Sequence, residues 1–351
     1  MIPLAKTDER IFGSLQEVKA HLAARNFEAY EIPLGNVQMS DMGELHILDG
    51  GGPLTKYAFL GLIGVLGIPW PYAVRVCPTG LLIHSIQKLM QHKHEQRVRI
   101  QIVDDVVTAI MSPARLPMPH QTLTTWLGTD RPIHEAVLSG GILRITLIRA
   151  TTEVAPGSIL GIGWEILNDE TGWWPTQLWR YALEQGRGNG FLGFEDCPVF
   201  TRRAIFTESI CNALQKLTDT LEDTVEIEGL DRAVQRAIEQ CIGRAREEMV
   251  DQLVDRLEGR ATRLLLRNIT QKSSYYDLAT IISSAARTHR LPMRRRYELD
   301  AGLLLVSLYK AYQTSLSLPQ AACQNSLYLP TDSISEENHF AEELAHHEKH
   351  S

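Results

Sequence analysis

The chain has 351 residues, 44% of them hydrophobic and 22% charged, enough to bury a substantial core as two domains or as one domain with an appendage. Its formal charge of -7 is concentrated at one end, because residues 331–351 hold six acids and one lysine, a net of -5. The near-neutral body that precedes them excludes nucleic-acid binding through a global positive field and leaves only a local basic patch for it.

Five cysteines (Cys77, Cys197, Cys211, Cys241, Cys323) are odd in number and have no C-x-x-C spacing. That usage points to reduced thiols in a cytoplasmic protein, with neither a disulfide framework nor a metal site. The opening MIPLAKTDER carries no apolar signal region. Residues 57–74 are uncharged over a length that could cross a membrane, but Gly61, Gly64, Gly67, Pro69 and Pro71 interrupt them. The helix that fits there covers 55–66 and spans only about 18 Å. A buried core helix is expected, and no membrane partner.

In chain order, Ser14 with Glu17 makes a capping box that opens a helix to about Arg25. Residues 27–34 and 44–48 read as strands, the second closed by a turn at 49–52. Thr55 caps the apolar helix and Gly67-Ile68-Pro69 ends it; a short helical turn at 71–76 and a helix at 79–92 follow. Residues 97–103 alternate strictly, with Val98, Ile100 and Ile102 on one face, and Asp104-Asp105 turns them into a second strand at 106–111. After a proline-marked loop come a helix at 120–127 and strands at 142–148 and 158–167.

The stretch 161–190 then concentrates polar groups between apolar elements. It reads as the end of a strand, a turn Asn168-Asp169-Glu170-Thr171-Gly172, the pair Trp173-Trp174, a short amphipathic helix through Trp179, and Gly188-Asn189-Gly190. Trp179 shares a helical face with Ala182 and Leu183 and belongs to the core. Trp173 and Trp174 cannot both point inward from an extended segment, so one is expected at the surface.

Beyond Phe200 glycine and proline become rare and helical periodicity takes over. Apolar positions from Leu230 to Leu257 predict one long helix, followed by helices at 275–288 and 297–314. The fold class expected is α+β. A mixed, largely antiparallel sheet body with flanking helices covers 1–200, an α-helical region 201–318, and a polar acidic tail, expected to be disordered, 319–351.

Three features carry candidate chemistry. Asp169 and Glu170 stand together in a turn and could act as acid and base, with a divalent cation as the one cofactor such a pair would call for. The plainer reading is that Asn, Asp and Gly are what a tight turn requires. GNGFLG at 188–193 has the G-x-G-x-x-G spacing but lacks the strand-to-helix setting of a dinucleotide site. No histidine stands at a metal-ligand spacing.

The third feature is electrostatic: Arg287, Arg290, Arg294, Arg295 and Arg296 fall within ten residues at a helix-to-helix connection. Arg287 and Arg290 suit a helix C-terminus, but Arg294 to Arg296 open the next helix, where cations are disfavoured, so a phosphate-binding patch is expected. Arg202 and Arg203 would extend it, as would Arg97 and Arg99, and an exposed Trp173 or Trp174 would stack on bases.

Several segments together resemble a family of uncharacterised phage- and plasmid-borne proteins, known as domain of unknown function 932. The resemblance rests on Leu54-Thr55 with Ala58-Phe59, Gly67-Ile68-Pro69 with Tyr72, Cys77-Pro78 with Leu81, and the AIMSPAR stretch containing Ser112 and Arg115. It continues through Gly161, Gly163, Asn168, Gly172, Arg180, Asn189 and Gly190. Asp169 stands where the family usually has serine, and a segment is inserted between Arg180 and Asn189. The resemblance implies a cytoplasmic protein of a mobile element and implies no substrate.

The leading expectation is therefore a nucleic-acid-binding accessory protein of a phage or plasmid, engaging single-stranded DNA in replication or recombination and working as a homo-oligomer. An assembly component using helix 231–257 as its interface ranks second. A metal-assisted enzyme acting through Asp169 and Glu170 ranks third.

Overall fold

In the computed structural model, residues 4–6, 8–47, 50–69, 71–73, 77–129, 131–155, 158–192, 198–203, 209–222, 227–243, 246–247, 250–251, 253 and 260–317 are described. The chain is α+β. Its first part contains β1 (Glu9–Phe12), α1 (Leu15–Ala24), β2 (Phe27–Pro33), β3 (Gln38–Met39), β4 (Leu45–Ile47), β5 (Gly50–Gly52), α2 (Lys56–Leu66) and α3 (Thr79–His92). The middle holds β6 (Arg97–Val103), β7 (Val106–Met111), α4 (His120–Leu127), β8 (Glu135–Ser139), β9 (Ile142–Ala155), β10 (Ser158–Asp169), β11 (Thr176–Glu184), β12 (Asn189–Leu192) and β13 (Phe200–Arg202). Helices α5 (Ile210–Glu222), α6 (Ile227–Glu239), α7 (Arg260–Arg267), α8 (Tyr275–Ala286) and α9 (Leu291–Ser317) follow.

Strand order in the largest sheet is β1-β8-β9-β10-β11-β12, with β13 also on β11; β2-β6-β7 and β3-β4-β5 form two smaller sheets. Two hairpins have their register fixed by two-residue turns. Asp104 and Asp105 have φ of 50° and 62° between β6 and β7, and Gly140 and Gly141 have 57° and 92° between β8 and β9. Both central residues in the left-handed region is what matches such a turn to the twist of the strands.

The chain divides into two compact units that interleave in sequence. One is Met1–Leu147, Glu165–Leu178 and Phe200–Glu222, and the other is Ile148–Trp164, Trp179–Val199 and Asp223–Ser351. The composition-based division near residue 200 follows a different line, because β9, β10 and β11 each contribute residues to both units.

In the first unit α2 supplies Ala58, Phe59, Leu62, Ile63 and Leu66 to a core shared with Val98, Ile100, Val107 and Ile110. Thr55 caps this helix by accepting from Ala58 N at 3.2 Å, and Gly67 ends it at φ 77°. Gly61 lies where any Cβ would overlap the backbone of Ile110. Among the described residues no helix is long and apolar enough to cross a membrane.

In the second unit Ala182 and Phe191 pack with Leu278, Ile282, Tyr297, Ala301 and Leu304 of the C-terminal helices. Trp179, Tyr181 and Leu183, at alternate positions of β11, cluster with Leu192 of β12. Gly302 brings α9 so close to β12 that a Cβ there would overlap the carbonyl of Leu192.

Five sequence expectations need correction. Residues 176–184 are the strand β11, not a helix; nearly every position is buried, so neither period stands out, and the i, i+3, i+4 match of Trp179, Ala182 and Leu183 misled. The long helix expected over 231–257 stops at Glu239. There Ile242 N and Gly243 N leave the helical pattern to donate to Ser273 O and Gln271 O, each at 2.9 Å, and Gly243 takes φ 61°. An uninterrupted assembly face on that helix is therefore absent. Residues 9–12, for which the sequence suggests no element, form β1 on β8, and Gly50–Gly52, expected as a turn, pair with β4. Finally, α9 begins at Leu291 rather than 297, with Pro292 in its first turn. The tail 319–351 lies outside the described residues.

Candidate functional site

The turn after β10 belongs to the first unit, and its polar side chains are buried. Asp169 Oδ1 accepts from Thr171 N at 2.8 Å and Thr171 Oγ1 at 2.6 Å, while Oδ2 accepts from Trp174 N at 2.8 Å. Burial pushes its carboxyl up to about 6, against the downward pull of the hydrogen bonds from Thr171 and from the backbone of Trp174 and Trp173. Asn168 donates Nδ2 to Met118 O at 2.9 Å and to His120 Nδ1 at 2.8 Å, and accepts from Thr176 Oγ1 at 2.7 Å. Gly172 closes the turn at φ 72°.

Glu170 reaches away from this turn to α4. That helix has no side-chain cap of its own, because its N-cap is Pro119. Glu170 Oε1 accepts from His120 N at 2.5 Å, and Oε2 lies 3.5 Å from Arg25 Nη2 and 3.6 Å from His120 Nε2. A carboxylate distant in sequence thus caps α4 where the helix dipole is positive. His120 Nε2 donates to Gly141 O at 2.9 Å and Nδ1 receives Asn168, so both ring nitrogens are engaged by the protein. Burial pushes its pKa down, with Glu170 opposing and Arg25 adding to the fall. Gly141 is fixed by this packing, since a Cβ there would sit 2.6 Å from Thr171 Cγ2.

Asp169, Glu170 and Glu165 therefore have three separate partner sets and do not converge. Glu165 pairs with Arg144 at 2.6 Å, both side chains fully buried. Asp196, the other acid considered, lies outside the described residues. Among the described residues no group of three His, Cys, Asp or Glu side chains is placed to hold a metal ion.

The tryptophan pair closes over the same turn. Trp174 is buried, and Trp173 is half-buried, donating Nε1–H to Tyr57 O at 3.1 Å under the guanidinium of Arg115, 5.8 Å from the ring. Neither indole is exposed, which corrects the expectation of one at the surface. A bend at residues 172–174 frees the segment from the strict alternation of a strand. Arg115 also donates to Gly172 O at 3.4 Å, and Ser112 O accepts from Arg115 N at 2.9 Å. The motif positions Arg115, Asn168 and Gly172 thus meet at one turn, while Ser112 is exposed and bonded locally to Arg115. Their arrangement is that of a structural network.

A second polar centre lies in the second unit at the β11–β12 hairpin. Glu184, 1% exposed, accepts from Asn189 Nδ2 at 2.8 Å and from Ser158 Oγ at 3.3 Å, and Arg187 Nη1 stands 3.3 Å away. Asn189 Oδ1 accepts from Ser284 Oγ at 2.9 Å, and Ser283 Oγ donates to Gly190 O at 2.7 Å. Tyr276 Oη is 3.3 Å from Ser158 Oγ; burial and then nearby Glu184 push its hydroxyl up to about 12. A Cβ on Gly190 would collide with Tyr181 Oη and lie 2.8 Å from Glu298 Oε1. Arg180, on β11, is half-buried.

The arginine cluster divides. Arg295 is 5% exposed and lies over the Trp179 ring at 5.2 Å, and Arg294 pairs with Glu298 at 3.1 Å. Arg296 is half-buried, whereas Arg287 and Arg290 are exposed. Arg287 Nη1 donates to the carbonyl of Arg187, whose own side chain is 68% exposed. In the first unit Arg202 is buried and donates to Leu116 O at 3.0 Å, and Arg203 is half-buried. Arg97 and Arg99 both pair with Glu31, at 3.4 and 3.5 Å.

Sequence reasoning missed His120, Arg25, Glu184, Ser158 and Tyr276. Only Arg187 left a readable signal, as the cation of a glycine-flanked hairpin loop, with Gly186 and Gly188 at φ 82° and 68°.

The fold and its two asparagine-centred turns define an α+β protein in which motif-bearing side chains hold the structure and a smaller set of arginines faces solvent. No protein-family model, curated protein or solved structure matches the chain.

Proposed function

We propose that this protein is a nucleic-acid-binding accessory protein whose phosphate contacts come from Arg187, Arg287 and Arg290. The observation that supports the reading is the hydrogen bond from Arg287 to the backbone of Arg187, a residue 100 positions away. It draws two exposed cationic residues together at a hairpin tip and a helix elbow of the same unit. Juxtaposed guanidinium-bearing residues repel one another, and an anion between them relieves the repulsion with bidentate hydrogen bonds. Glu184 offsets this in part, but it also serves Asn189 and Ser158 and is itself buried. The resemblance to phage- and plasmid-borne proteins is the ground for assigning the role to a mobile element. A homo-oligomer repeating the patch along a strand belongs to the same proposal.

The test is fluorescence anisotropy of a labelled oligonucleotide with the full chain at about 50 and 200 mM salt. Binding should weaken as salt rises. The triple variant Arg187→Gln/Arg287→Gln/Arg290→Gln should bind on the order of tenfold more weakly, with a salt slope reduced by about 2. Absence of binding, or binding indifferent to salt, refutes the proposal.

A further inference from the structure

We infer that the ligand at this elbow is the sugar–phosphate backbone alone, so that base identity and strand number do not matter to it. The inference rests on the nucleic-acid reading above and narrows it. A protein that prefers single strands presents aromatic faces on which unstacked bases lie. In the unit that carries Arg187, Arg287 and Arg290, every described Trp, Tyr and Phe side chain is buried, from Tyr181 and Tyr297 at 0% to Tyr276 at 8%.

Several groups that could replace them are committed as well. Arg295 covers Trp179 inside the fold. The ring of His289 meets Tyr297 edge-on at 5.0 Å. The amide of Asn189, a group able to read a base edge, is closed by Glu184 on one side and Ser284 on the other. Trp173 and Trp174, in the other unit, are occupied by Tyr57, Arg115 and their own turn.

What faces solvent is guanidinium on a glycine-rich hairpin. Gly188 lies beside Arg287, whose Cζ would be in van der Waals contact, at 3.9 Å, with a Cβ there. This arrangement suits a phosphate oxygen and, among the described side chains of the unit, presents no exposed aromatic ring to a base.

The experiment compares three labelled probes of equal length on the full chain at low salt: a mixed-sequence single strand, its duplex, and a strand of abasic tetrahydrofuran residues. The abasic strand should bind within about threefold of the normal strand, and the duplex, with its higher charge density, at least as tightly. Intrinsic tryptophan emission should not change on binding. If the single strand binds and the abasic strand loses tenfold or more, bases are being stacked and this inference fails while the phosphate-binding proposal stands. A duplex bound tenfold more weakly than the single strand has the same consequence. Should none of the three bind, the proposal itself falls and the inference with it.

Discussion

Asn168→Ala is expected to destabilise the protein by about 3–5 kcal/mol, at the upper end for a single substitution. The side chain is fully buried and uses both donors and its acceptor on three different segments: Met118 O before α4, His120 Nδ1 within it, and Thr176 Oγ1 at the start of β11. Truncation leaves three buried polar groups without their partner, each costing roughly 1–3 kcal/mol where water cannot replace it. It also loosens His120, whose backbone N–H anchors Glu170 at the start of α4. The isosteric Asn168→Asp should fare no better at neutral pH, because it turns a carboxylate oxygen towards two acceptors. Urea unfolding of both variants, with exposed Asn212→Ala on α5 as a control expected within about 0.5 kcal/mol of the parent, measures this. A loss below about 1 kcal/mol for Asn168→Ala would mean that the turn is not the anchor its hydrogen bonds describe.

The same turn marks the limit of what was legible in the sequence. Local signals were read correctly: strict alternation with Asp104-Asp105 gives the β6–β7 hairpin, and Thr55 with Gly67 brackets α2. Asn168 to Gly172 were recognisable as turn chemistry. The partners of the turn were not, because His120, Arg25 and Gly141 stand 48, 145 and about 30 positions away from the residues they meet, and no periodicity encodes such a meeting. β11 failed for another reason. A strand buried on both faces loses the alternation by which strands are recognised.

The arginine cluster shows how a correct local observation can support too large a patch. In a helix successive residues point about 100° apart, so Arg294, Arg295 and Arg296 cannot share a face once α9 starts at Leu291. One is drawn to Glu298, one onto Trp179, and one remains half-buried. The conflict between cations and the helix N-terminus is resolved inside the fold, by Glu298 for Arg294 and by the Trp179 ring for Arg295. Arg287 and Arg290, with Arg187 from the hairpin, lie outside this helical periodicity and are exposed.

The buried turn also makes stability depend on pH, with two groups acting in opposite directions. Asp169 is raised in the fold from 3.8 to about 6. The native state therefore favours its protonated form, and this stabilisation, complete below about pH 4, is lost as pH rises towards 6 and above. At 1.36 kcal/mol per pH unit the full difference is roughly 3 kcal/mol. His120 is lowered from 6.5, so the native state favours the neutral ring. Its contribution is present above pH 6.5 and is lost as pH falls, which masks the gain at Asp169 in the parent protein. Asp169→Asn separates them, because it removes one titration and keeps the other. The variant is less stable at every pH, since the carboxamide turns a donor towards one of the N–H groups that Asp169 accepts from. The informative quantity is the gap between parent and variant in urea unfolding. Between pH 7.5 and 4.5 it should widen by about 2 kcal/mol, with His120 cancelling in the difference. A gap independent of pH would show that the Asp169 carboxyl titrates alike in the folded and unfolded chain, its hydrogen bonds outweighing burial.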